Sequence, residues 1–308
     1  MSHHRHATSC LFLLSSLLEL ASCFNWDQLL STKTSANVAF ADLPRFKYMI
    51  DYHRKRSQEL YGNDCTPNLL QGGSSAGPLA RRSSGQVVRS LGTFPGLSAS
   101  PRYYRNNSGS WPDFAYDDLK WVDELESRLD EIKMEFESSA IPDEMWETFR
   151  TKKGQEFSAT TGWSHVSFLD NFKWKPKQIA TLPRTYDIVT DIVGTERRLG
   201  PRHIAVARQK SGTGIPEHSD LINTMLTLHM VIKAPSKCAV GITINGEKHF
   251  WKVGDPIVFD TTYPHETFNE GEGDEDDVVV LLVDFWHPDL SICEIEAVRK
   301  FWRMNSGV

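Results

Sequence analysis

The chain has 308 residues, a formal net charge of −6 and an apolar fraction of 40%. This length allows one large domain or two small ones, and the apolar fraction suffices for a buried core. A net negative charge disfavours nucleic acid as a partner, because the phosphate backbone attracts basic surfaces. The five cysteines have no short spacing and indicate neither a zinc module nor a disulfide framework, so one disulfide and free, partly buried thiols both stay open.

Residues 1–24 have the character of a targeting segment. The apolar run from Cys10 to Phe24 contains Glu19 and is shorter than the roughly 20 residues of a membrane span. It fits a secretory apolar region better, with Ala21-Ser-Cys23 as a small-residue cleavage site. We therefore predict a signal peptide or signal anchor over 1–24 and a location in the endoplasmic reticulum or Golgi. Contact with a membrane is expected only through such an anchor, and a two-part plastid address is the alternative.

The next two segments differ sharply in composition. Residues 25–62 mix charged and apolar side chains in a way that predicts a short helical segment. Residues 63–112 are rich in Ser, Gly, Pro and Arg, and such a run cannot bury enough apolar surface to offset its chain entropy. We predict that 63–112 is a disordered linker and that 113–308 forms the main domain.

Several helices are expected to flank this domain. Between Asp113 and Glu137, apolar residues recur at three- and four-residue spacing, which predicts an amphipathic helix with a solvated acidic face. Shorter helices are predicted over Pro142–Lys152 and Thr181–Val193. The stretch Ser291-Ile-Cys-Glu294 has the capping-box pattern and predicts a C-terminal helix to about Trp302.

From about Ser158 onward the chain reads mainly as short strands. Asn245-Gly246, between two β-rich runs, is the strongest short hairpin signal. The run Val278–Asp284 is almost wholly apolar, which is typical of a strand buried on both faces. The fold class predicted is mainly β: a double-stranded β-helix, or cupin-like jelly roll, with helices on its N-terminal side and one at its C-terminus. The other predicted strands are His203–Gln209, Met225–Lys233, Ala239–Asn245 and Pro256–Asp260.

Three side chains in this strand-rich region form a metal-ligand pattern. His218 and Asp220 stand in a His-x-Asp motif, and His265 follows on a later strand. Two imidazoles and one carboxylate on one face of Fe(II) leave the opposite positions open for other ligands. We therefore predict that His218, Asp220 and His265 are the metal-binding and catalytic residues. The competing interpretation is a surface loop with incidental polar residues.

The same region resembles the aspartyl/asparaginyl β-hydroxylase family over roughly residues 160–292. Fainter similarity lies at Gly162-Trp163 and Leu182-Pro-Arg-Thr185. The segments that carry the resemblance are Ile215-Pro-Glu-His-Ser-Asp220, Asn223, Leu226-x-x-His229, Pro235-x-x-Cys238, Trp251-x-x-Gly254, Phe259-Asp260, His265-Glu266 and Val283-Asp-Phe-Trp-His-Pro-Asp-Leu290.

The resemblance implies an Fe(II)-dependent dioxygenase that consumes O₂ and 2-oxoglutarate. Animal members have glycine at the position of Asp220, whereas this chain keeps a carboxylate. The family's cosubstrate-binding arginine falls at Val278, and no Lys or Arg occurs from Gly254 to Pro288. His229 matches a family histidine near the cosubstrate, and Arg208 is the second candidate for cofactor binding.

The substrate implied by the resemblance is an Asp or Asn side chain in a peptide or protein, with a small amino acid as the other possibility. A non-catalytic cupin-like metal-binding protein and an oxygenase that uses no 2-oxo acid are the alternatives. The acidic stretch 272–277 is either a solvated insertion or a gate that favours basic substrates.

Overall fold

The computed structural model describes residues 26–51, 94–148, 162–194, 197–220 and 222–306. One helix begins at residue 44 and continues to residue 51, where the first described range ends. The helices are α1 (Trp26–Ser31), α2 (44–51), α3 (Lys120–Ser127), α4 (Leu129–Ser138), α5 (Pro176–Ile179), α6 (Pro183–Val193) and α7 (Ile292–Ser306).

The described strands form two antiparallel sheets. The strands are β1 (Arg102–Tyr103), β2 (Glu147–Thr148), β3 (Trp163–Asp170), β4 (Lys173–Trp174), β5 (Leu199–Gln209), β6 (Met225–Lys233), β7 (Val240–Ile244), β8 (Glu247–Phe250), β9 (Pro256–Phe259), β10 (His265–Asn269) and β11 (Val278–Trp286). The larger sheet has the order β1-β9-β6-β11-β5-β3-β2, with β4 also paired to β3, and the smaller has the order β10-β7-β8. The order places strands distant in sequence side by side, as in a jelly roll, and confirms the predicted mainly-β architecture.

The strand β11 is the centre of the larger sheet. It pairs with β5 on one side and β6 on the other, and almost all of its side chains are buried. One face packs against the smaller sheet, and the other faces the layer of α3, α4 and α6. The apolar run therefore forms the doubly buried strand that its composition predicts.

The helical layer differs in detail from the prediction. The expected single helix is divided at Arg128 into α3 and α4, although its apolar stripe is buried as predicted. The helix predicted over Pro142–Lys152 is wrong for the described part of that stretch. Residues Asp143–Met145 form a 3-10 turn, and β2 follows immediately and pairs with β3.

Residues 94–112 belong to the folded domain, which corrects the predicted linker boundary at 112. Phe94 and Leu97 are buried beside α7, and β1 pairs with β9. Asn223 exchanges hydrogen bonds with the backbone of Phe94, at 2.7 Å and 2.9 Å. Composition missed this attachment because a few buried anchors hold an otherwise polar segment.

The segment 26–51 also packs against the C-terminal helix. Trp26 stacks on Phe301, and Arg45 forms an ion pair with Glu294. The capping box predicted at Ser291 is present, since Ser291 and Glu294 exchange side chain–backbone hydrogen bonds. The Asn245-Gly246 turn has positive φ at both residues, as the hairpin signal requires.

The predictions for 1–24 and for most of the linker lie outside the described residues. Within the described ranges, none of the helices combines the length and apolar character that crossing a membrane would require. Cys238 and Cys293 are free, partly buried thiols.

Candidate metal centre

A cavity of about 410 Å³ lies between the two sheets. Its apolar wall comes mostly from the strand faces that point inward, with Trp163, Ile242, Phe259 and Leu282 as members. His218, Asp220 and His265 line the same cavity at the end where β10 begins. The fold therefore brings all three predicted metal ligands to one cavity.

The two histidines are held side by side by their backbones. The backbone N–H of His218 donates to the carbonyl of His265 at 2.9 Å, and the N–H of His265 donates back at 2.8 Å. This reciprocal antiparallel bridge directs both side chains to the same side. The ring centroids are 4.2 Å apart.

Each histidine also has its proton position fixed. Nδ1 of His218 lies 2.9 Å from the carbonyl oxygen of Pro216, and Nδ1 of His265 lies 2.9 Å from that of Tyr263. A carbonyl oxygen only accepts, so Nδ1 is the donor, and Nε2 of the neutral ring keeps its lone pair. Metal-binding histidines characteristically donate their second nitrogen to a carbonyl in this way. Desolvation, with His218 adding to it, lowers the pKa of His265 to about 3, so this ring is neutral.

Asp220 lies beside the two histidines and is bound by an arginine. Its Oδ2 accepts a hydrogen bond from Nη1 of Arg202 at 2.5 Å, and its backbone N–H donates to the carbonyl of Thr261. Desolvation acts to raise the carboxyl pKa, but Arg202 and then the two histidines hold the pKa well below its usual range. Asp220 is therefore an anion whose position is set on one side by Arg202.

The described residues contain no group of three or more His, Cys, Asp or Glu side chains already arranged to hold a metal ion. The three predicted ligands thus line one cavity, but their side chains are not arranged as a complete metal-binding set. The donor chemistry itself fits a metal, since two imidazole nitrogens stand beside a carboxylate.

Arg202 is the centre of a buried polar network that crosses three strands. Its Nε and Nη2 donate to the two oxygens of Asp284 at 2.6 Å and 3.0 Å, and Nη2 also donates to Thr227 at 3.1 Å. Thr227 in turn donates to Asp284 at 2.5 Å. The side chains of Arg202 and Asp284 are 5% and 1% exposed. Each compensates the buried charge of the other, which would be costly to bury without a partner.

His229 lines the cavity within an aromatic surround, and its role in cofactor binding stays a prediction. Its ring centroid lies 5.1 Å from that of Phe259, 5.8 Å from Trp251 and 6.3 Å from Trp163. Nδ1 is buried and has no hydrogen-bond partner among the described residues. Desolvation lowers the pKa of His229 to about 4, so the ring is neutral and available to a bound molecule as a hydrogen-bonding group, not as a cation.

Arg208 does not reach the cavity, which corrects its prediction as a cofactor-binding residue. Its neighbours across the sheet are Ser164 and Val279, and its guanidinium stacks over Trp146 at 4.3 Å, on the helix-covered face. Alternation along β5 directs Ala207 to the inner face and Arg208 to the outer one.

A polar wall lies beside the apolar one. His165, Asp170 and His203 line it, with Glu147 at its edge. Lys175 forms ion pairs with Glu147 at 2.6 Å and with Asp170 at 3.2 Å. Desolvation lowers the pKa of His165 to about 3 and also depresses the pKa of His203, so this wall combines neutral imidazoles with charged groups.

The acidic stretch 272–277 does not face this cavity. Its carboxylates bind nearby backbone, since Asp276 accepts from the N–H groups of Glu272 and Gly273, and Asp277 accepts from Ser211. It precedes Val278 at the start of β11, whereas the metal end of the cavity is near Asp284, some 20 Å further along the strand. These contacts favour the solvated-insertion interpretation, and the gate interpretation stays a prediction.

Sequence reasoning missed Arg202, Asp284 and the polar wall. A signal for Asp284 was present, because it is the one charge within an otherwise apolar strand, whereas Arg202 shares β5 with His203, Arg208 and Gln209. A charge in such a strand requires a partner. Its partner could not be named without the register of β5 and β11.

The distal carboxylate of 2-oxoglutarate lacks an obvious partner. Arg202 is the sole Lys or Arg among the described residues that line the cavity, and two carboxylates already engage it. Where the resembled family has its cosubstrate arginine, Val278 is buried with Val280 in an apolar cluster. The described residues therefore fit a metal better than they fit a dicarboxylate.

The two antiparallel sheets and their strand order define the chain as a cupin-like double-stranded β-helix protein. The comparison with known families is more specific. The family model for aspartyl/asparaginyl β-hydroxylase matches residues 126–288, and the chain belongs to this family.

Relatives by sequence agree with this assignment. The chain is 25% identical over 217 residues to aspartate β-hydroxylase domain-containing protein 2 of Mus musculus, covering 68% of this chain and 61% of that protein. It is 27% identical over 172 residues to the ornithine lipid ester-linked acyl 2-hydroxylase of Rhizobium tropici, covering 54% of this chain and 58% of that protein. The chain thus spans about six-tenths of the length of these relatives.

Among solved structures, AviO1 from Streptomyces viridochromogenes is similar at a TM-score of 0.29 and 12% identity, covering 57% of this chain and 88% of that one. The cupin domain of Cnp3 from Schizosaccharomyces pombe is similar at a TM-score of 0.28 and 11% identity, covering 46% and 72%.

Proposed function

We propose that the chain is an Fe(II)- and 2-oxoglutarate-dependent oxygenase that hydroxylates an Asp or Asn side chain of a peptide or protein. The observation that carries the metal part is the pair His218 and His265, both with Nδ1 committed to a carbonyl, beside Asp220. Family membership supports the hydroxylase chemistry.

The protein residues would divide the work in a simple way. His218 and His265 would give the iron two imidazole nitrogen ligands, and Asp220 would give one carboxylate oxygen. Iron, when bound, supplies the capacity to activate O₂ for insertion into a C–H bond. Phe259, whose ring centroid lies 5.5 Å from that of His265, would help to keep water away from this end of the cavity.

The polar wall is the proposed substrate side. Asp170 and His203 lie there with Glu147, so the wall offers both acceptors and neutral donors to a polar side chain. The names of the two relatives above refer to different substrates, an aspartate residue and a lipid acyl chain. We favour the amino-acid side chain because the wall next to the metal residues is polar, and a small amino acid is the alternative. The proposed location is the secretory pathway, from the character of residues 1–24.

The runner-up is a cupin-like metal-binding protein without catalysis. The observation that favours it is the pairing of Arg202 with Asp284 and Asp220, which leaves no free cation for 2-oxoglutarate among the described cavity residues. An oxygenase that uses another 2-oxo acid is consistent with the same observation, because the apolar wall suits an apolar tail.

Product analysis separates these functions. The full chain is incubated aerobically with Fe(II), ascorbate and either 2-oxoglutarate or 2-oxoisocaproate, and the carboxylic acid formed by decarboxylation is measured by mass spectrometry. Succinate that disappears in Asp220→Ala and persists in His249→Gln would support the proposal, because His249 lies on β8 outside the cavity. Turnover of 2-oxoisocaproate without turnover of 2-oxoglutarate would mean that the cosubstrate is a different 2-oxo acid. No product from either acid, with Fe(II) still bound, would favour the non-catalytic function.

A further inference from the structure

The hydrogen bonds of the buried Arg202 fix the orientation of its guanidinium. Asp284 receives two parallel hydrogen bonds from Nε and Nη2, which is the bidentate arrangement that fixes the plane of a guanidinium. Thr227 braces the same pair by accepting from Arg202 and donating to Asp284. With its plane fixed, the direction in which Nη1 points is fixed as well.

Nη1 points at Asp220. The contact joins Nη1 to Oδ2 at 2.5 Å, and it links a side chain that is 5% exposed to one that is 28% exposed. Asp220 lies on the loop after His218, outside any strand, so the ladder of a sheet does not determine where its carboxylate points. Arg202 supplies the orientation that the backbone does not.

The hydrogen bonds of Arg202 argue against a role in binding the cosubstrate. A guanidinium has five N–H donors, and four of them are used by Asp284, Thr227 and Asp220. The one left cannot bind a second carboxylate with two parallel hydrogen bonds. Since Oδ2 of Asp220 accepts from Arg202, Oδ1 is the oxygen that we expect a metal to bind.

We propose that Arg202, held by Asp284 and Thr227, is a positioning residue that presents the carboxylate of Asp220 to the metal through a single oxygen. The inference rests on the metal site of the proposed function. It also explains how Asp220 would be held in place as one of the metal ligands. Partners of metal ligands act in this way in other sites, where their loss weakens metal binding roughly 10–100-fold.

The test measures metal affinity instead of turnover. Calorimetry gives the Kd of Mn(II) for the full chain, and the visible spectrum of bound Co(II) reports the ligand geometry. The key variant is the double substitution Arg202→Met with Asp284→Leu, which removes both buried charges together and leaves neither unpaired. Arg208→Met is the matched control, because Arg208 lies on the same strand but stacks on Trp146 on the other face.

The double variant is measured with Asp220 present and again in the Asp220→Ala background. We expect the Kd to rise roughly 10–100-fold when Asp220 is present and to change less than about threefold when it is absent, because the positioning acts only through that carboxylate. The Co(II) spectrum of the double variant should approach that of Asp220→Ala. Arg208→Met should leave both measurements unchanged.

Three results would overturn the inference alone: an unchanged Kd, equal weakening in both backgrounds, or tighter binding in the double variant. The last would show that Arg202 competes with the metal for Asp220. Failure of the unmodified chain to bind either metal would overturn the proposed metal site together with the inference. If the double variant does not fold, Asp284→Asn serves instead, because it keeps the shape of Asp284 and weakens its hold on Arg202. It should raise the Kd with Asp220 present, and an unchanged Kd in this variant would also overturn the inference.

Discussion

His218 and His265 pair across two separate chain segments by exchanging backbone hydrogen bonds, and their rings lie 4.2 Å apart. The pairing extends the antiparallel contact between the loop 213–218 and β10, because Thr267 donates to Ile215 and Asn269 donates to Thr213. A loop that is bound along its length to a strand holds its histidine as firmly as the strand holds its own. The spacing of the two histidine rings is therefore a property of the sheet edge.

Gly214 is the residue at which this contact can be broken with one methyl group. A Cβ at position 214 would stand 2.3 Å from the carbonyl oxygen of Thr267, which is backbone and cannot rotate away. Gly214→Ala should separate the loop from β10 and weaken Mn(II) binding by at least tenfold, as expected when a ligand loses its support. Gly273→Ala is the control, because its Cβ would meet only the flexible side chain of Glu275 at 3.6 Å. Equal affinity for Mn(II) in the two variants would contradict this account of the site.

The buried pair of Arg202 and Asp284 predicts an asymmetry in folding stability. Arg202→Met alone leaves a 1% exposed carboxylate without its partner and should lower the free energy of unfolding by roughly 3–5 kcal/mol. Adding Asp284→Leu should recover most of that loss, since apolar residues of similar volume replace such pairs at little cost. Urea denaturation of the full chain measures both variants. A double variant less stable than Arg202→Met would show that the network contributes more than charge compensation.

Two buried neutral histidines predict a loss of stability on acidification. The pKa of His229 is about 4 in the folded chain against an ordinary value of 6.5, and that of His165 is about 3. Between these values the unfolded chain binds protons that the folded chain does not, so stability is complete above pH 6.5 and declines as the pH falls toward 4. At about 1.4 kcal/mol per pH unit, His229 alone accounts for about 3 kcal/mol at most.

The substitution His229→Phe isolates that contribution. It preserves an aromatic ring among Trp163, Trp251 and Phe259 and removes the titrating group. Unfolding followed at pH 7 and pH 5 should show a smaller pH difference for the variant than for the unmodified chain. An identical difference in both proteins would mean that His229 is not the neutral, buried group described above.

Much of the fold could be predicted from local pattern. Continuous apolar runs, the Asn245-Gly246 turn and the capping box at Ser291 each depend on neighbours within a few residues, and each is present. The helix break at Arg128 and the strand β2 depend on packing against distant elements, which a local pattern does not record.

The positions of the two arginines on β5 show why the site was only partly predictable. Arg202 and Arg208 are six residues apart, and strict alternation would place them on the same face. The pairing with β11 shifts between Val283 and Phe285, where two residues of β11 correspond to five of β5. This irregularity turns Arg202 into the cavity while Arg208 stays outside. A bulge of this kind has no reliable sequence signature, so the sequence did not show that Arg202 faces the cavity.

The central claim is that His218, Asp220 and His265 hold an Fe(II) ion that a 2-oxo acid can chelate, and an anaerobic titration tests it most directly. The full chain is used, because 26–51 and 94–112 pack on the domain. Fe(II) is added first and 2-oxoglutarate second, while the visible spectrum is recorded for the weak charge-transfer band of chelated iron. The account predicts a band in the unmodified chain and in His249→Gln, and none in Asp220→Ala. Bound iron without a band in the unmodified chain would contradict the account.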